Sequence, residues 1–143
     1  ISGLPVGFGE PWFEGIEPAL ARALMAIPAA RAVEFGRGVN AGEMRGSEHN
    51  DNWGKDMSLS EGADGALGGM ASGAPIHVKI TFKPPSGISL PQNTFNQVTG
   101  MMEELAIKGR HDPVIAPRAR PVVEAVARLV IADLGIQGGY IDG

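Results

Sequence analysis

The stretch IHVKITFK, residues 76 to 83, decides the fold class because apolar and polar side chains alternate along its whole length. One side of the extended chain carries apolar residues and the other polar ones: Ile76, Val78, Ile80 and Phe82 against His77, Lys79, Thr81 and Lys83. A period of two with a single apolar face is typical of a half-buried antiparallel strand. The sequence therefore predicts a sheet with one face on a core and the other in water.

Two segments on either side of this strand have the spacing of helices. The first, EGIEPALARALMAIP, has Pro18 in its first turn and Pro28 as its stop, because proline lacks the N–H that a helix interior needs. Its predicted apolar face consists of Ile16, Leu20, Leu24 and Ile27. The second, RPVVEAVARLVIADLG, is predicted to begin at Pro121 and to end near its last glycine. Both are so apolar that each is expected to be covered on more than one side.

Shorter segments complete the predicted secondary structure. RAVEFG, residues 31–36, and EELAIKG, residues 103–109, are predicted strands. Residues 38–75 are rich in glycine and poor in large apolar side chains, which predicts an irregular segment. Apolar helices on an antiparallel sheet indicate one α+β domain over residues 1–143. A further layer should cover the helices, either a second sheet or another part of a longer protein.

The composition excludes several classes of function. The net charge is −4, so no overall field favours nucleic acid or an anionic membrane. The chain has no cysteine, which excludes disulfides, thiolate zinc ligands and cysteine nucleophiles and fits a cytoplasmic location. No apolar run approaches the ~20 residues of a transmembrane helix. What remains is an enzyme or binding domain of ordinary size.

The segment KGRHDPVIAPRARPVVEA, residues 108 to 125, concentrates positive charge in this acidic chain. Arg110 offers a planar guanidinium that can bind a carboxylate or phosphate through two hydrogen bonds, and Asp112 could act as a base. Arg118 and Arg120 lie near the start of a helix, where the dipole also favours an anion. From the residues alone, an anion site and an Arg–Asp ion pair that braces a loop are equally good interpretations.

Three other segments carry groups that a ligand could use. GALGGMASG places Gly68 among glycines before the strand, and KPPSG follows the strand with a lysine, a serine and a glycine. SEHNDNW contains Glu48, His49 and Asp51, which could ligate a metal, although their spacing matches no metal motif. Tight turns explain the first two segments and a polar surface loop explains the third, so no metal site is expected.

Three blocks, in this order along the chain, resemble the chorismate synthase family. GLPVGFGEPWFEGIEPALARALMAIPAARAVEFGRG, GALGGMASGAPIHVKITFKPPSGI and GRHDPVIAPRARPVVEAVARLVIADL are similar to its C-terminal part, with an archaeal character, from about residue 4 to residue 134. The most specific signature comprises Arg110, His111, Asp112, Pro113, Pro121 and Glu124. Three departures stand out: KPP replaces the usual K-P-T, GADGA replaces N-N-A-G-G before the glycine pair, and Val114 replaces a cysteine that often follows RHDP.

The resemblance implies a carbon–oxygen lyase of the shikimate pathway, which serves aromatic amino acid biosynthesis. Members of the family use reduced FMN to eliminate phosphate from 5-enolpyruvylshikimate 3-phosphate and give chorismate. The resemblance also implies a β-α-β sandwich with largely buried helices, assembled as a homotetramer. The family's N-terminal half, whose histidines and arginines protonate the leaving phosphate and bind substrate, has no counterpart here. This chain alone is therefore expected to be inactive.

Site residues follow from the resemblance where the motifs match. The implied catalytic residues are Asp112, which helps flavin N5 to take up the proton, and Arg110, at flavin and substrate. The implied flavin-binding residues are Pro28, Ala29, Gly68, Lys83, Pro84, Pro85, Ser86, Gly87 and Arg110. An inactive structural or oligomerisation fragment that binds flavin weakly, and an unrelated phosphate-binding protein, stay open as alternatives. Flavin binding and activity with the missing half would separate the three.

Overall fold

The computed structural model describes residues 1–55, 59 and 62–142. The α-helices and strands in chain order are α1 Ile16–Met25, β1 Ala30–Phe35, α2 Gly46–His49, β2 Ala66–Leu67, β3 Met70–Ala71, β4 Val78–Phe82, β5 Gln92–Asn96, β6 Met101–Leu105 and α3 Ala116–Gln137. The strands form three antiparallel pairs, β1 with β4, β2 with β3 and β5 with β6. Helices beside small antiparallel sheets confirm the predicted α+β class.

The alternating stretch forms β4 and behaves as predicted. It pairs antiparallel with β1, so the RAVEFG strand is also confirmed. Val78, Ile80 and Phe82 are half-buried and pack against the core, whereas Lys79 and Thr81 are exposed. β4 therefore turns one face inward and one face to water, whereas residues 32–35 of β1 are half-buried on both faces.

The core is built around α1. Three residues of its predicted apolar face, Ile16, Leu20 and Leu24, are completely buried, and Ile27 is nearly so. The helix packs on β1 and on α3. It ends at Met25, before the stop that was predicted at Pro28. Burying each such aliphatic side chain stabilises the fold by roughly 1.5–3 kcal/mol.

The second predicted helix begins earlier than expected. α3 starts at Ala116, so Pro117 occupies its first turn and Pro121, predicted as the start, lies inside it. The first four N–H groups of a helix have no partner within the helix, so Pro117 loses no hydrogen bond there. Pro121 removes one backbone hydrogen bond in the second turn of α3. No helix in the described part of the chain is long and apolar enough to cross a bilayer.

α3 is covered on one face only. Val123, Val126, Val130 and Ile131 pack against the core, while Leu129 on the other side is 69% exposed. The covering layer that its apolar composition predicts therefore does not come from the described residues. The β-α-β sandwich implied by the family resemblance would supply this layer, and this stays a prediction.

The hairpin of β5 and β6 was only partly predicted. The predicted strand at 103–109 overlaps the second half of β6, and its partner β5 was missed. β5 reads QNTFN and has no apolar face, since four of its five residues are exposed. Polar contacts hold the turn instead: the Thr99 hydroxyl and the Asn96 amide donate to the Glu103 carboxylate at 2.6 and 2.9 Å.

The segment 38–75 contains only short elements, as predicted; its residues 56–58, 60 and 61 lie outside the described part. β2 and β3 are joined by Gly68 and Gly69, both with positive φ, as a two-residue hairpin turn requires. A Cβ on Gly69 would lie 2.5 Å from the carbonyl oxygen of Glu10. Glycine is therefore needed there for packing as well as for conformation.

Candidate functional site

Two of the predicted flavin-binding segments lie side by side at one end of the β1–β4 pair. The N–H of Lys83 donates to the C=O of Ala29 at 2.9 Å. Ala29 has a φ of 69°, an uncommon left-handed conformation for a residue with a side chain, in the turn between α1 and β1. Antiparallel pairing thus places the turn after α1 against the turn after β4.

The GRHDP segment approaches the KPPSG turn. A Cβ on Gly87 would lie 3.9 Å from Nδ1 of His111, which is ordinary contact distance. The other ring nitrogen of His111 lies 3.1 Å from the carbonyl oxygen of Ile107. Arg110 and Asp112 flank His111 in the chain and therefore lie near this turn. The fold thus brings together three of the four segments predicted to bind flavin: the turn at Pro28 and Ala29, the KPPSG turn and the GRHDP segment.

Asp112 forms an ion pair with an arginine of the same segment. Nη1 of Arg118 donates to Oδ2 of Asp112 at 2.5 Å. Arg110 is exposed, and no carboxylate among the described residues pairs with it. An Arg–Asp ion pair is therefore present in this segment, with Arg118 and not Arg110 as the arginine.

The basic cluster is smaller than the sequence suggested. Arg118 is engaged by Asp112, and Nε of Arg120 donates to the Glu124 carboxylate at 2.9 Å, one helical turn further on. Both guanidinium groups therefore have a carboxylate partner, and their side chains are 67% and 81% exposed. Arg110 has no carboxylate partner among the described residues.

Gly68 does not join the other predicted flavin contacts. In its turn, the C=O of Gly69 accepts the N–H of Ile16 at 2.9 Å, at the N-terminal end of α1. Pro28 and Ala29 follow the C-terminal end of the same helix. Ten helical residues span about 15 Å, so one ligand touching both ends would have to run the length of α1. A Cβ on Gly68 would meet nothing within 4 Å, so the turn is open.

A cavity of about 500 Å³, lined by both polar and apolar side chains, lies near the N-terminal end of α1. Its lining residues are Glu17, His49, Asn50, Asp51, Trp53, Leu59, Asp64, Ala66 and Leu67. The carboxylate of Asp64 lies 3.6 Å from both Arg37 Nη1 and His49 Nε2. Sequence reasoning missed Asp64, because nothing in GADG marks it as the partner of residues so distant in the chain. The described residues contain no group of three His, Asp or Glu placed to hold a metal.

Glu17 lines this cavity, and its carboxyl group is expected to make the stability of the fold depend on pH. Burial, and then the nearby Asp64 carboxylate, raise the pKa of the Glu17 carboxyl above its ordinary value. The fold therefore favours the protonated form of Glu17 more than the unfolded chain does. The stability associated with this is fully present below the unfolded-state pKa of about 4.3, and it is lost as pH rises through the folded-state pKa.

Glu17→Gln is expected to gain stability relative to the parent as pH rises from about 3.5 to 7. The gain should stay below about 1 kcal/mol, because the carboxyl is only half-buried and solvent screens it. Thermal unfolding at both pH values measures it, with exposed Glu10→Gln as the matched control. A relative loss of stability with rising pH would contradict this assignment.

Comparison with known proteins gives one consistent answer. A family model described as chorismate synthase matches residues 1–136. A chorismate synthase from Dehalococcoides mccartyi is 46% identical over 96% of this chain and 39% of its own length. One from Methanosarcina mazei is 45% identical over 99% of this chain and 40% of its own length. The chain thus spans about two fifths of the length of these curated relatives.

A solved structure agrees with the sequence comparisons. A crystal structure of chorismate synthase superposes with a TM-score of 0.68 at 26% identity, covering 96% of this chain and 35% of the other. The fold described above therefore corresponds to about a third of a larger known structure.

Proposed function

This chain belongs to the chorismate synthase family, and we propose that it is the C-terminal, flavin-binding part of a chorismate synthase. The complete enzyme, a cytoplasmic homotetramer in this proposal, would eliminate phosphate from 5-enolpyruvylshikimate 3-phosphate to give chorismate with reduced FMN. One observation carries the proposal. The Pro28–Ala29 turn, the KPPSG turn and the GRHDP segment, all implied to bind flavin, lie together in the fold.

The residues gathered there fit an anionic ligand with a flat ring system. Lys83 and Arg110 are exposed cations, which suit phosphate and carboxylate groups. Gly87 has no side chain, so a ring can approach the backbone closely. Pro84 and Pro85 keep the turn stiff, which lowers the entropy lost on binding. When bound, reduced FMN would supply electron density for the departure of phosphate.

Asp112 is the group we propose for proton transfer. Arg118 holds its Oδ2 with a short hydrogen bond, and Oδ1 is then the atom that can take and release a proton beside the ligand. In this scheme Arg118 is a positioning residue that fixes the direction of the carboxylate. Arg110, on the other side of His111, would bind the anionic groups of substrate and flavin through its planar fork.

The chain alone is expected to make no chorismate, because the family's N-terminal acids and substrate ligands are absent, and a general acid typically supplies about 10²–10⁴-fold. A chimera, in which this chain replaces the matching segment of the Dehalococcoides mccartyi enzyme, is expected to turn over. Both proteins are assayed with reduced FMN supplied. Turnover by the chain alone would contradict this prediction, and a folded, FMN-binding chimera without turnover would refute the proposed function.

Arg110→Lys in the chimera is expected to weaken FMN and substrate binding about tenfold, because a point charge loses one of two charge-assisted hydrogen bonds, worth about 1.5 kcal/mol. Titration of each ligand measures the loss. Arg128→Lys is the matched control, since Arg128 is an exposed α3 residue whose nearest carboxylate contact, to Glu124, is 4.0 Å. Parent-like affinities in Arg110→Lys would show that Arg110 contacts neither ligand.

The second candidate is a fragment that contributes only structure. The exposed outer face of α3 favours it, because another part of the enzyme has to cover that face. The two candidates differ at Arg110 and Asp112: a structural role predicts that their substitution leaves turnover of the chimera unchanged. Family membership leaves no reason to retain an unrelated phosphate-binding protein.

A further inference from the structure

The ring of His111 uses one nitrogen and leaves the other without a partner. Nε2 lies 3.1 Å from the carbonyl oxygen of Ile107. A carbonyl oxygen only accepts hydrogen bonds, so Nε2 carries the proton and donates it. In the neutral ring Nδ1 then has a lone pair and acts as an acceptor. Among the described residues, no group donates a hydrogen bond to this nitrogen.

Gly87 leaves empty space beside Nδ1. A Cβ at position 87 would lie 3.9 Å from this nitrogen, and no other described atom outside its chain neighbours would be within 4 Å. The φ of Gly87 is outside the left-handed region, so the backbone itself would accept any residue with a side chain. Glycine is therefore not required by the conformation of the KPPSG turn. Its effect is to keep Nδ1 of His111 accessible.

The polar groups around this space combine donors with one acceptor. Lys83 and Arg110 are exposed and bring only donors, whereas Nδ1 of His111 brings a lone pair. Phosphate and ionised carboxylate groups have acceptors only, so they suit the two cations and leave Nδ1 unpaired. A ligand that satisfies all three groups has to present an N–H together with acceptor oxygens. A cyclic imide does this, because its N–H lies between two carbonyl oxygens.

We propose that Nδ1 of His111 accepts a hydrogen bond from the imide N–H of the bound flavin ring, and that Gly87 keeps this nitrogen accessible to the ring. This rests on the proposed function, since reduced FMN is the ligand proposed for this place. His111 selects the ring by its donor, while Lys83 and Arg110 bind acceptor oxygens. His111 neither gains nor loses a proton in the reaction, so its role is separate from that of Asp112.

Two amide substitutions of His111 separate the roles of its two nitrogens. The amide nitrogen of glutamine reaches the position of Nε2, and the amide oxygen of asparagine reaches that of Nδ1. His111→Gln therefore keeps the contact with Ile107 and loses the acceptor, whereas His111→Asn keeps the acceptor and loses that contact. In the chimera, reduced FMN is expected to bind about fivefold more weakly to His111→Gln and less than about twofold more weakly to His111→Asn. Equal affinities of the two variants, or weaker binding by His111→Asn, would overturn the proposal, because His111 would then only brace the segment.

Reduced 3-methyl-FMN, which lacks the imide proton, tests the ligand atom. The parent chimera is expected to bind it at least about tenfold more weakly than reduced FMN, because Nδ1 then meets a methyl group and stays unpaired. In His111→Gln the two flavins should differ by about twofold or less. Equal affinities in the parent would assign the donor to another group, such as a hydroxyl, and would overturn the proposal. A tenfold difference that persists in His111→Gln would also overturn it, because the methyl group would then meet a different residue.

Gly87→Ala tests the accessibility of Nδ1 without changing His111. The added methyl group lies at ordinary contact distance from Nδ1, so the fold should tolerate it while the ligand loses access to the nitrogen. Affinity for reduced FMN is expected to fall about fivefold in the parent chimera, but less than about twofold when His111→Gln is already present. Gly42→Ala is the matched control, since its φ is also outside the left-handed region and its Cβ would meet nothing within 4 Å. Additive losses in the double variant would overturn the role of Gly87.

Nuclear magnetic resonance of the chain alone tests the assigned ring form without any flavin. At mildly alkaline pH, the ¹⁵N-labelled ring of His111 is expected to carry its proton on Nε2 and none on Nδ1. A proton on Nδ1 would overturn the proposal. Titrations and chorismate formation in the parent chimera keep the two proposals apart. A parent that binds no FMN would refute the proposed function and this inference together, whereas an active parent with the contrary His111 results would overturn the inference alone.

Discussion

Asp112→Asn in the chimera is expected to slow turnover by about 10²–10⁴-fold, while FMN affinity, substrate affinity and melting temperature stay near the parent values. The amide keeps the size of the carboxyl group and can still accept the hydrogen bond from Arg118. It cannot take a proton from the ligand. A loss confined to turnover is the signature of a group that acts in the transition state.

The exposure of the Arg118–Asp112 ion pair distinguishes a purely structural role of Asp112 from a catalytic one. The side chains of Arg118 and Asp112 are 67% and 35% exposed, and an ion pair in such a setting contributes about 1 kcal/mol or less. A rate loss of 10²–10⁴-fold corresponds to roughly 2.7–5.5 kcal/mol. Loss of the pair is therefore too small to explain the expected change in turnover.

Arg118→Gln is the matched control for this prediction. It breaks the same ion pair and leaves the Asp112 carboxylate in place, so turnover should fall less than about tenfold. Melting temperature, FMN affinity and turnover are measured together for both variants and the parent. Parent-like turnover of Asp112→Asn, or a loss in Asp112→Asn that unfolding accounts for, would rule out the catalytic role.

Leu20→Ala is expected to destabilise the fold by about 2–5 kcal/mol, because it opens a cavity in the middle of the core. Leu20 has no exposed surface and lies at the centre of α1. For a domain of this size the melting temperature should fall by roughly 6–15 °C. Thermal unfolding of the chain alone and of the chimera measures the effect.

Leu129→Ala is the control for the core substitution. Leu129 lies on the outer face of α3 and is 69% exposed, so in the chain alone its loss should change stability by about 0.5 kcal/mol or less. In the chimera, Leu129→Ala should lower stability by a larger amount if other parts of the enzyme cover the outer face of α3. Equal effects of the two substitutions in the chain alone would mean that α1 is not the centre of the core.

The sequence by itself determined the elements that have one apolar face. Two patterns were sufficient to predict these elements: the period of two in residues 76–83 and the helical spacing of Ile16, Leu20 and Leu24. They were sufficient because burial of an apolar face dominates the local free energy. It also carried the family signature around Asp112. Where no face is buried, as in β5, the pattern contains no signal, and that strand was missed.

Only the tertiary structure decided which residues meet. The sequence contained Asp112 and several arginines, but the start of α3 at Ala116 puts Arg118 rather than Arg110 against it. Ala29 and Lys83 meet only because β1 and β4 pair antiparallel, and Gly68 is held at the other end of α1 by the β2–β3 turn. Such contacts join residues far apart in the chain, where hydrophobic period carries no information, so they depend on the packing of the whole domain.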